Sequence, residues 1–378
     1  MQQGQGVPSS LAVPAAPGDV GAMSDVSLRV FTNPRRGVPG LVVLPAGGFR
    51  RAQAAITAWP GYAPTPLHQL PDLARQLRVG CIQVKDEATR FGLGSVKALG
   101  GAYAVEGVVA SAEAQGKGPI TVTCATDGNH GRSVAWGAQR CGVSALVLVH
   151  PGVSPARRAA IAAFGATVRE VPGSYDDAVR ASAAVPDAQV VSDTSWPGYI
   201  EIPREIMQGY RLMPDEALDQ WTGPPPTHVF IQAGVGGIAA AVSVQLRARG
   251  IEAALIIVEP DGAACLYASA VAGQLTVVPG PHETLMAGLA CGTPSLLAWR
   301  ELERAAAAFV TIPDTATVAA MRALAGSGVI SGETGAAGLG ALLLAAKGGM
   351  LSLTPDSRVL LFSCEGATDP ARYASLIA

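Results

Sequence analysis

Short apolar runs rich in β-branched residues recur along the chain, at residues 81–84, 121–125, 145–149, 167–171, 189–191, 228–232, 254–259 and 359–363. Runs of this length bounded by turn residues predict buried strands. Between most of them lie Ala-rich stretches of helical length, at 96–113, 132–140, 155–164, 238–249 and 336–347. Strand and helix in alternation predict an α/β fold, a parallel sheet covered by helices on both faces, with ligands at the carboxyl ends of the strands. The longest uncharged apolar stretch, 229–246, is broken by Gly234, Gly236 and Gly237. It reads as strand, loop and helix, not as a membrane span.

Composition adds limits. With 378 residues, 49% hydrophobic and 15% charged, the chain can bury a core large enough for two domains. A formal charge of -2 and no long Lys/Arg run exclude the electrostatic footprint of a nucleic-acid binder, so small molecules are the expected partners. Residues 1–28 hold no Lys or Arg and lack the basic start of a secretory signal, which predicts a flexible leader over 1–32. Six cysteines without CxxC spacing indicate neither a zinc site nor a disulfide framework. Reduced thiols in the cytoplasm and no metal are expected, with a Cys265–Cys291 link left open.

Only four lysines occur: Lys85, Lys97, Lys117 and Lys347. Lys117 lies in a Gly-rich turn, and Lys347 precedes two glycines at a helix end, where a cation is expected on structural grounds. Lys97 opens a helix between Gly92, Gly94, Gly100 and Gly101, glycines that would let backbone and cofactor approach closely. With few carboxylates nearby in sequence, this setting predicts a neutral amine able to form a Schiff base. A solvated lysine is the plainer alternative.

Two glycine loops follow strands. In Thr126-Asp127-Gly128-Asn129-His130-Gly131, the polar side chains fall at a strand's carboxyl end, where they read equally as a site or as an ordinary turn with Asp127 as helix cap. In Gln232-Ala233-Gly234-Val235-Gly236-Gly237-Ile238-Ala239, backbone amides can wrap a phosphate at a helix start. The second loop also matches GxGxxA, and Glu259 ends the next strand where a dinucleotide fold keeps its ribose-binding acid, so an NAD-dependent dehydrogenase competes.

Taken together, the motifs resemble fold type II pyridoxal 5′-phosphate (PLP) enzymes, the group of threonine dehydratase, serine racemase and tryptophan synthase β, and above all the diaminopropionate ammonia-lyase family. The resemblance runs from Asn33 to the C-terminus. It rests on Lys85-Asp86-Glu87, Arg90-Phe91-Gly92-Leu93, Lys97-x-Leu99-Gly100-Gly101, Ala125 to Arg132, Asp193-Thr194-Ser195-Trp196-x-Gly198-Tyr199, Ile206-Met207-Gln208-Gly209-Tyr210, Gln232 to Gly236, Met286-Ala287-Gly288-Leu289, Ser331-Gly332-Glu333 and Glu365-Gly366.

The resemblance implies two open twisted α/β domains with the cofactor between them: a large one from 33–96 and 195–378, and a small mobile one from 97–194. It makes Lys97 the internal-aldimine lysine, Asn129 the partner of the PLP 3′-oxygen, Gly234, Val235, Gly236, Gly237 and Ile238 the phosphate loop, and Ser363 the partner of the pyridine nitrogen. Related dehydratases have serine where this chain has Asp127, so Lys97 and Asp127 could act as bases on opposite faces of L and D substrates. Asp193 would hold the second ammonium of 2,3-diaminopropionate; a turn-capping role is the alternative. Thr126, Asp127 and Gly128 would meet the substrate, and Tyr199 falls in the same family-specific segment as Asp193. Cys364 and Ala367 stand where the family is expected to have Thr and Asp. A homodimer is also implied. A PLP-dependent serine/threonine dehydratase or racemase, or a PLP-binding protein without turnover, remain as alternatives.

Overall fold

The computed structural model describes residues 28–378. Most of the leader therefore lies outside the described residues, but its predicted end is four residues too late. Arg29–Thr32 form strand β1. The others are β2 (Leu67–Gln69), β3 (Cys81–Asp86), β4 (Thr121–Thr126), β5 (Ser144–Val149), β6 (Thr167–Glu170), β7 (Ala188–Val190), β8 (His228–Gln232), β9 (Ala254–Pro260), β10 (Ala308–Ile312) and β11 (Arg358–Ser363).

They form two sheets. A seven-stranded sheet runs β1-β10-β9-β8-β11-β3-β2, and a four-stranded sheet runs β6-β5-β4-β7. Every pair is parallel except the edge pairs β1·β10 and β2·β3. The central strands are buried on both faces, which is why they read as continuous apolar runs. Along β8, Val229 and Ile231 join one apolar cluster and Phe230 the other, as side chains alternate across the sheet between two helical layers.

The helix Lys97–Ala114 packs on Asn129–Cys141 and on Glu201–Tyr210. Glycine sets that closeness. A Cβ on Gly101 would lie 2.6 Å from Ser133 Oγ, one on Gly137 2.8 Å from Ala102 Cα, and one on Gly100 would enter the Tyr210 ring. Gly100 and Gly101 therefore serve helix packing, a correction to their reading as openings for a cofactor.

Candidate active site

The site lies where parallel strands end. Asp127 follows β4, Asp193 lies three residues beyond β7, the loop 233–237 follows β8, and Cys364 and Glu365 follow β11. They meet Lys97, the first residue of its helix, in a cleft also lined by Thr126, Gly128, Asn129, His130, Arg157, Tyr175 and Cys291. Cross-links bring the Lys97 segment to β11: Val96 N–H donates to the Cys364 carbonyl at 2.9 Å, and Ser95 bridges Glu365.

Lys97 Nζ donates to Asp193 Oδ2 at 2.5 Å and stands 5.4 Å from the Tyr210 ring centroid. This overturns the expected neutral amine. Burial works against the ammonium, but the Asp193 carboxylate outweighs it and raises the lysine pKa. Burial likewise opposes ionisation of Asp193, and Lys97 together with His130 pulls its pKa below the carboxylate range. A chain separation of 96 residues hides this partner from the sequence around Lys97. Lys85, in contrast, is wholly buried. It donates to the Thr65 carbonyl at 2.6 Å and pairs with Glu216 at 2.7 Å; Arg90 binds the same Glu216 and also Glu87. Two cations face two carboxylates there, a compensated structural network.

Asp127 accepts from His150 Nε2 at 2.7 Å. Burial raises its pKa, while His150 and then Arg157 oppose the rise. The Thr126 hydroxyl oxygen accepts from the amides of Gly128 and Gly131, both at 2.9 Å, so it stiffens this loop and the Gly128 N–H is already engaged. Gly128 has φ +143°, and a Cβ there would stand 3.1 Å from Arg157 Cδ. Asn129 donates its amide to Glu365, whose other oxygen accepts from Thr334 N–H at 2.9 Å.

Gly236, at φ +98°, turns the chain from β8 into the helix Gly237–Ala248. The first amides of a helix lack intrahelical acceptors, and the dipole there favours an anion. A Cβ on Gly234 would stand 3.0 Å from the Gly288 carbonyl oxygen and 3.1 Å from Cys291 Sγ, so a side chain there would crowd the floor of the cup. Among the described residues Gln232 Oε1 and His130 Nδ1 are buried without a hydrogen-bond partner, and both residues line the cleft. An anion cup, a lysine and unpartnered polar atoms in one cleft suit a phosphorylated aldehyde cofactor.

Two predicted residues do not reach the cleft wall. The Tyr199 hydroxyl accepts from Ser192 N–H and donates to the Val190 carbonyl, each at 2.9 Å, and its ring stacks on Trp196 at 4.2 Å. It ties down the segment that carries Asp193. Ser363 is 1% exposed and donates to Ser331 Oγ at 2.8 Å, behind Cys364. Cys364 itself lines the cleft, with burial pushing its thiol up to about 12. Cys265 and Cys291 are free thiols.

Glu259 settles the dinucleotide alternative. It is wholly buried, and its carboxyl oxygens accept from the amides of Leu266 at 2.8 Å and Tyr267 at 2.6 Å. It caps the helix Cys265–Ala272 and offers nothing to a ribose. His150, Arg157 and Tyr175 were missed in the sequence. His150 was within reach, since it follows β5 just as Asp127 follows β4. Arg157 and Tyr175 come from helices whose positions carry no such signal.

Residues 58–365 match the model of the pyridoxal-phosphate dependent enzymes. The diaminopropionate ammonia-lyase of Escherichia coli K12 is 40% identical over 355 residues, 84% of this chain and 88% of that protein. The crystal structure of diaminopropionate ammonia lyase from Escherichia coli in complex with an aminoacrylate-PLP azomethine reaction intermediate superposes with a TM-score of 0.87 at 37% identity, covering 93% of this chain and 97% of that one. The same enzyme in complex with D-serine gives a TM-score of 0.85 at 35% identity, with the same coverage. With its cleft, its lysine and its glycine cup in the order of that family, the chain belongs to the diaminopropionate ammonia-lyases, within the pyridoxal-phosphate dependent enzymes.

Proposed function

We propose that this chain eliminates ammonia from 2,3-diaminopropionate with pyridoxal 5′-phosphate as cofactor, giving pyruvate and two ammonia by way of aminoacrylate. The observation that carries the reading is the buried Asp193 carboxylate 2.5 Å from Lys97, an ammonium receptor beside the lysine. A serine or threonine dehydratase substrate has no second ammonium to place there.

Lys97 would carry the cofactor, the amides from Gly234 to Ile238 would hold its phosphate, and Asn129 would meet its 3′-oxygen. Ser363, held on Ser331 behind Cys364, would meet the pyridine nitrogen only after its hydroxyl turned from Ser331 and Cys364 gave way. When bound, the cofactor accepts the electron pair left at the substrate α-carbon. Once Lys97 is committed to the cofactor, Asp193 is free for the substrate's β-ammonium, while Thr126 and Gly128 border the substrate on the Asp127 side. The Cα proton passes to Lys97 Nζ on one face or to the Asp127 carboxylate on the other. The bond from Cβ to the β-ammonium then breaks, and the nitrogen departs with the bonding pair as neutral ammonia.

The unit 97–194, which contains the four-stranded sheet, is the moving part. Six free thiols, four of them buried, support a cytoplasmic setting. The exposed run of Val38, Leu41 and Val42, 59–80% accessible, supports self-association as a homodimer, read by light scattering.

The test is a coupled pyruvate assay with both isomers. Pyruvate from L- and D-diaminopropionate is expected; pyruvate from serine or threonine alone makes the chain a dehydratase instead. Asp127→Asn should lower turnover of the D isomer by 10²-fold or more, the usual worth of a general base. Equal losses on both isomers refute the two-face arrangement.

A further inference from the structure

Neighbouring parallel strands β4 and β5 deliver Asp127 and His150 side by side from their carboxyl ends. His150 Nε2 lies 2.7 Å from Asp127 Oδ1, and on the far side of the ring Gly152 N–H donates to Nδ1 at 3.2 Å. A backbone N–H only donates, so Nδ1 is the acceptor. The ring is therefore the neutral tautomer with its proton on Nε2, aimed at Asp127, which accepts as a carboxylate. Gly152 permits this approach: a Cβ there would stand 2.8 Å from His150 Cε1 and 3.1 Å from Nδ1. Among the described residues Asp127 Oδ2 has no hydrogen-bond partner.

We infer that His150 is a positioning residue for the second base: with Gly152 behind it, it engages Oδ1 of Asp127 and leaves Oδ2 turned to the substrate α-carbon, so that the D isomer is processed beside the L isomer. This rests on the proposed function. The arrangement parallels an acid that fixes a histidine in nucleophilic triads, with the roles reversed. The side chain of His150 is 21% exposed, against 12% for Asp127, and it lines a second pocket that shares Asp127 and Arg157 with the cleft, so the pair stands between the two.

Other groups face Asp127 from each packed element: Arg157 from the helix after β5, Asp193 beyond β7, Tyr175 from the helix Tyr175–Ala183, and Cys291 from the 286–295 loop. Burial raises the Asp127 pKa, Asp193 adds to the rise, and the His150 bond is the first effect to oppose it. Without that donor, Asp127 keeps its proton to higher pH, and the base form appears later on the alkaline side.

The experiment compares His150→Phe, His150→Gln and Gly152→Ala with the wild-type holoenzyme on both isomers. Phe keeps the ring volume and removes the donor; Gln returns an N–H. His150→Phe should lower kcat on D-diaminopropionate roughly 10- to 100-fold, less than outright loss of a general base. Turnover of the L isomer should stay within about twofold, and the acid limb of kcat/KM for the D isomer should move to higher pH. His150→Gln should restore most of the loss, and Gly152→Ala, by pushing the ring away, should resemble His150→Phe. Nitrogen-15 NMR of the histidine rings, with His150 assigned by its disappearance in His150→Gln, should show the neutral Nε2–H tautomer in the cofactor-free chain.

Equal losses on both isomers, no loss on either, or an Nδ1–H ring overturns the inference. So does a wild type that turns over only the L isomer. A wild type inactive on both isomers but active on serine is a failure of the proposed function. The same variants on L- and D-serine, with the NMR tautomer, then decide the role of His150 independently.

Discussion

At the scale of single residues, Lys97 and Asp193 act as one unit, and each makes sense only beside the other. A buried ammonium with no partner would lose its proton, and a buried carboxylate with no partner would gain one. Paired, both stay charged, which makes Asp193 a ready receptor for a substrate cation. Asp193→Asn keeps the shape and removes the charge. A charge-assisted hydrogen bond contributes about 1.5–3 kcal/mol, so kcat/KM for diaminopropionate should fall roughly 10- to 150-fold. Serine, with no β-ammonium, should lose much less, and an equal loss on serine would assign Asp193 to positioning Lys97 alone. Lys97, Asp127 and Asn129 were legible in the sequence because each sits in a short motif at an element boundary. Their charge states were not, because Asp193 reaches Lys97 from 96 residues away and His150 reaches Asp127 from a neighbouring strand.

At the scale of elements, strands buried on both faces were the clearest signal: β8 spans the predicted 228–232, and β3, β4 and β11 each extend theirs by one or two residues. Strand β10 escaped notice because Ala305, Ala306 and Ala307 run straight into it, and alanine favours helix until tertiary pairing with β9 decides otherwise. Glu259 shows how one residue at a strand end changes meaning with its element. At a crevice it would bind a ribose; here it caps a helix. Burial pushes its carboxyl up to about 8, against the two backbone N–H groups it accepts from. The unfolded chain loses that proton near pH 4.3. The contribution to stability is therefore fully present below about pH 4 and is lost as pH rises through about 8. Glu259→Gln cannot titrate and leaves one of the two amides without an acceptor, a cost of about 1 kcal/mol. The variant should be the less stable protein at pH 5 by urea titration, and the gap should close or reverse by pH 8. A gap that widens with pH means that Glu259 is ionised in the folded chain throughout.

At the scale of the whole molecule, alternation of strand and helix foretold parallel sheets but could not divide eleven strands into seven and four. That division depends on which strands pair, and the pairing of β3 with β11 joins residues from opposite ends of the described chain. Polar contacts also join residues of the 97–194 segment to the rest of the chain. Ser154 donates to Asp369 at 2.8 Å, Thr293 donates to Asp176 at 3.1 Å, and Arg157 stands 3.7 Å from Glu333. Each tie joins the 97–194 unit to the rest. If that unit closes over the substrate, the ties hold the closed form, and weakening them should reduce binding before it touches the chemistry. Thr293→Val removes a donor at nearly constant volume, and Glu333→Gln removes the charge facing Arg157 while keeping an acceptor. Neither residue lies in a strand or caps a helix of the smaller unit. Loss of about 1 kcal/mol of closure should raise KM for diaminopropionate roughly fivefold in the double variant and leave kcat nearly unchanged. Amide exchange should quicken across β4 to β7 relative to the larger sheet. A double variant that loses kcat instead, with exchange unchanged, would show that these contacts shape the catalytic groups directly and that the 97–194 unit does not move as a body.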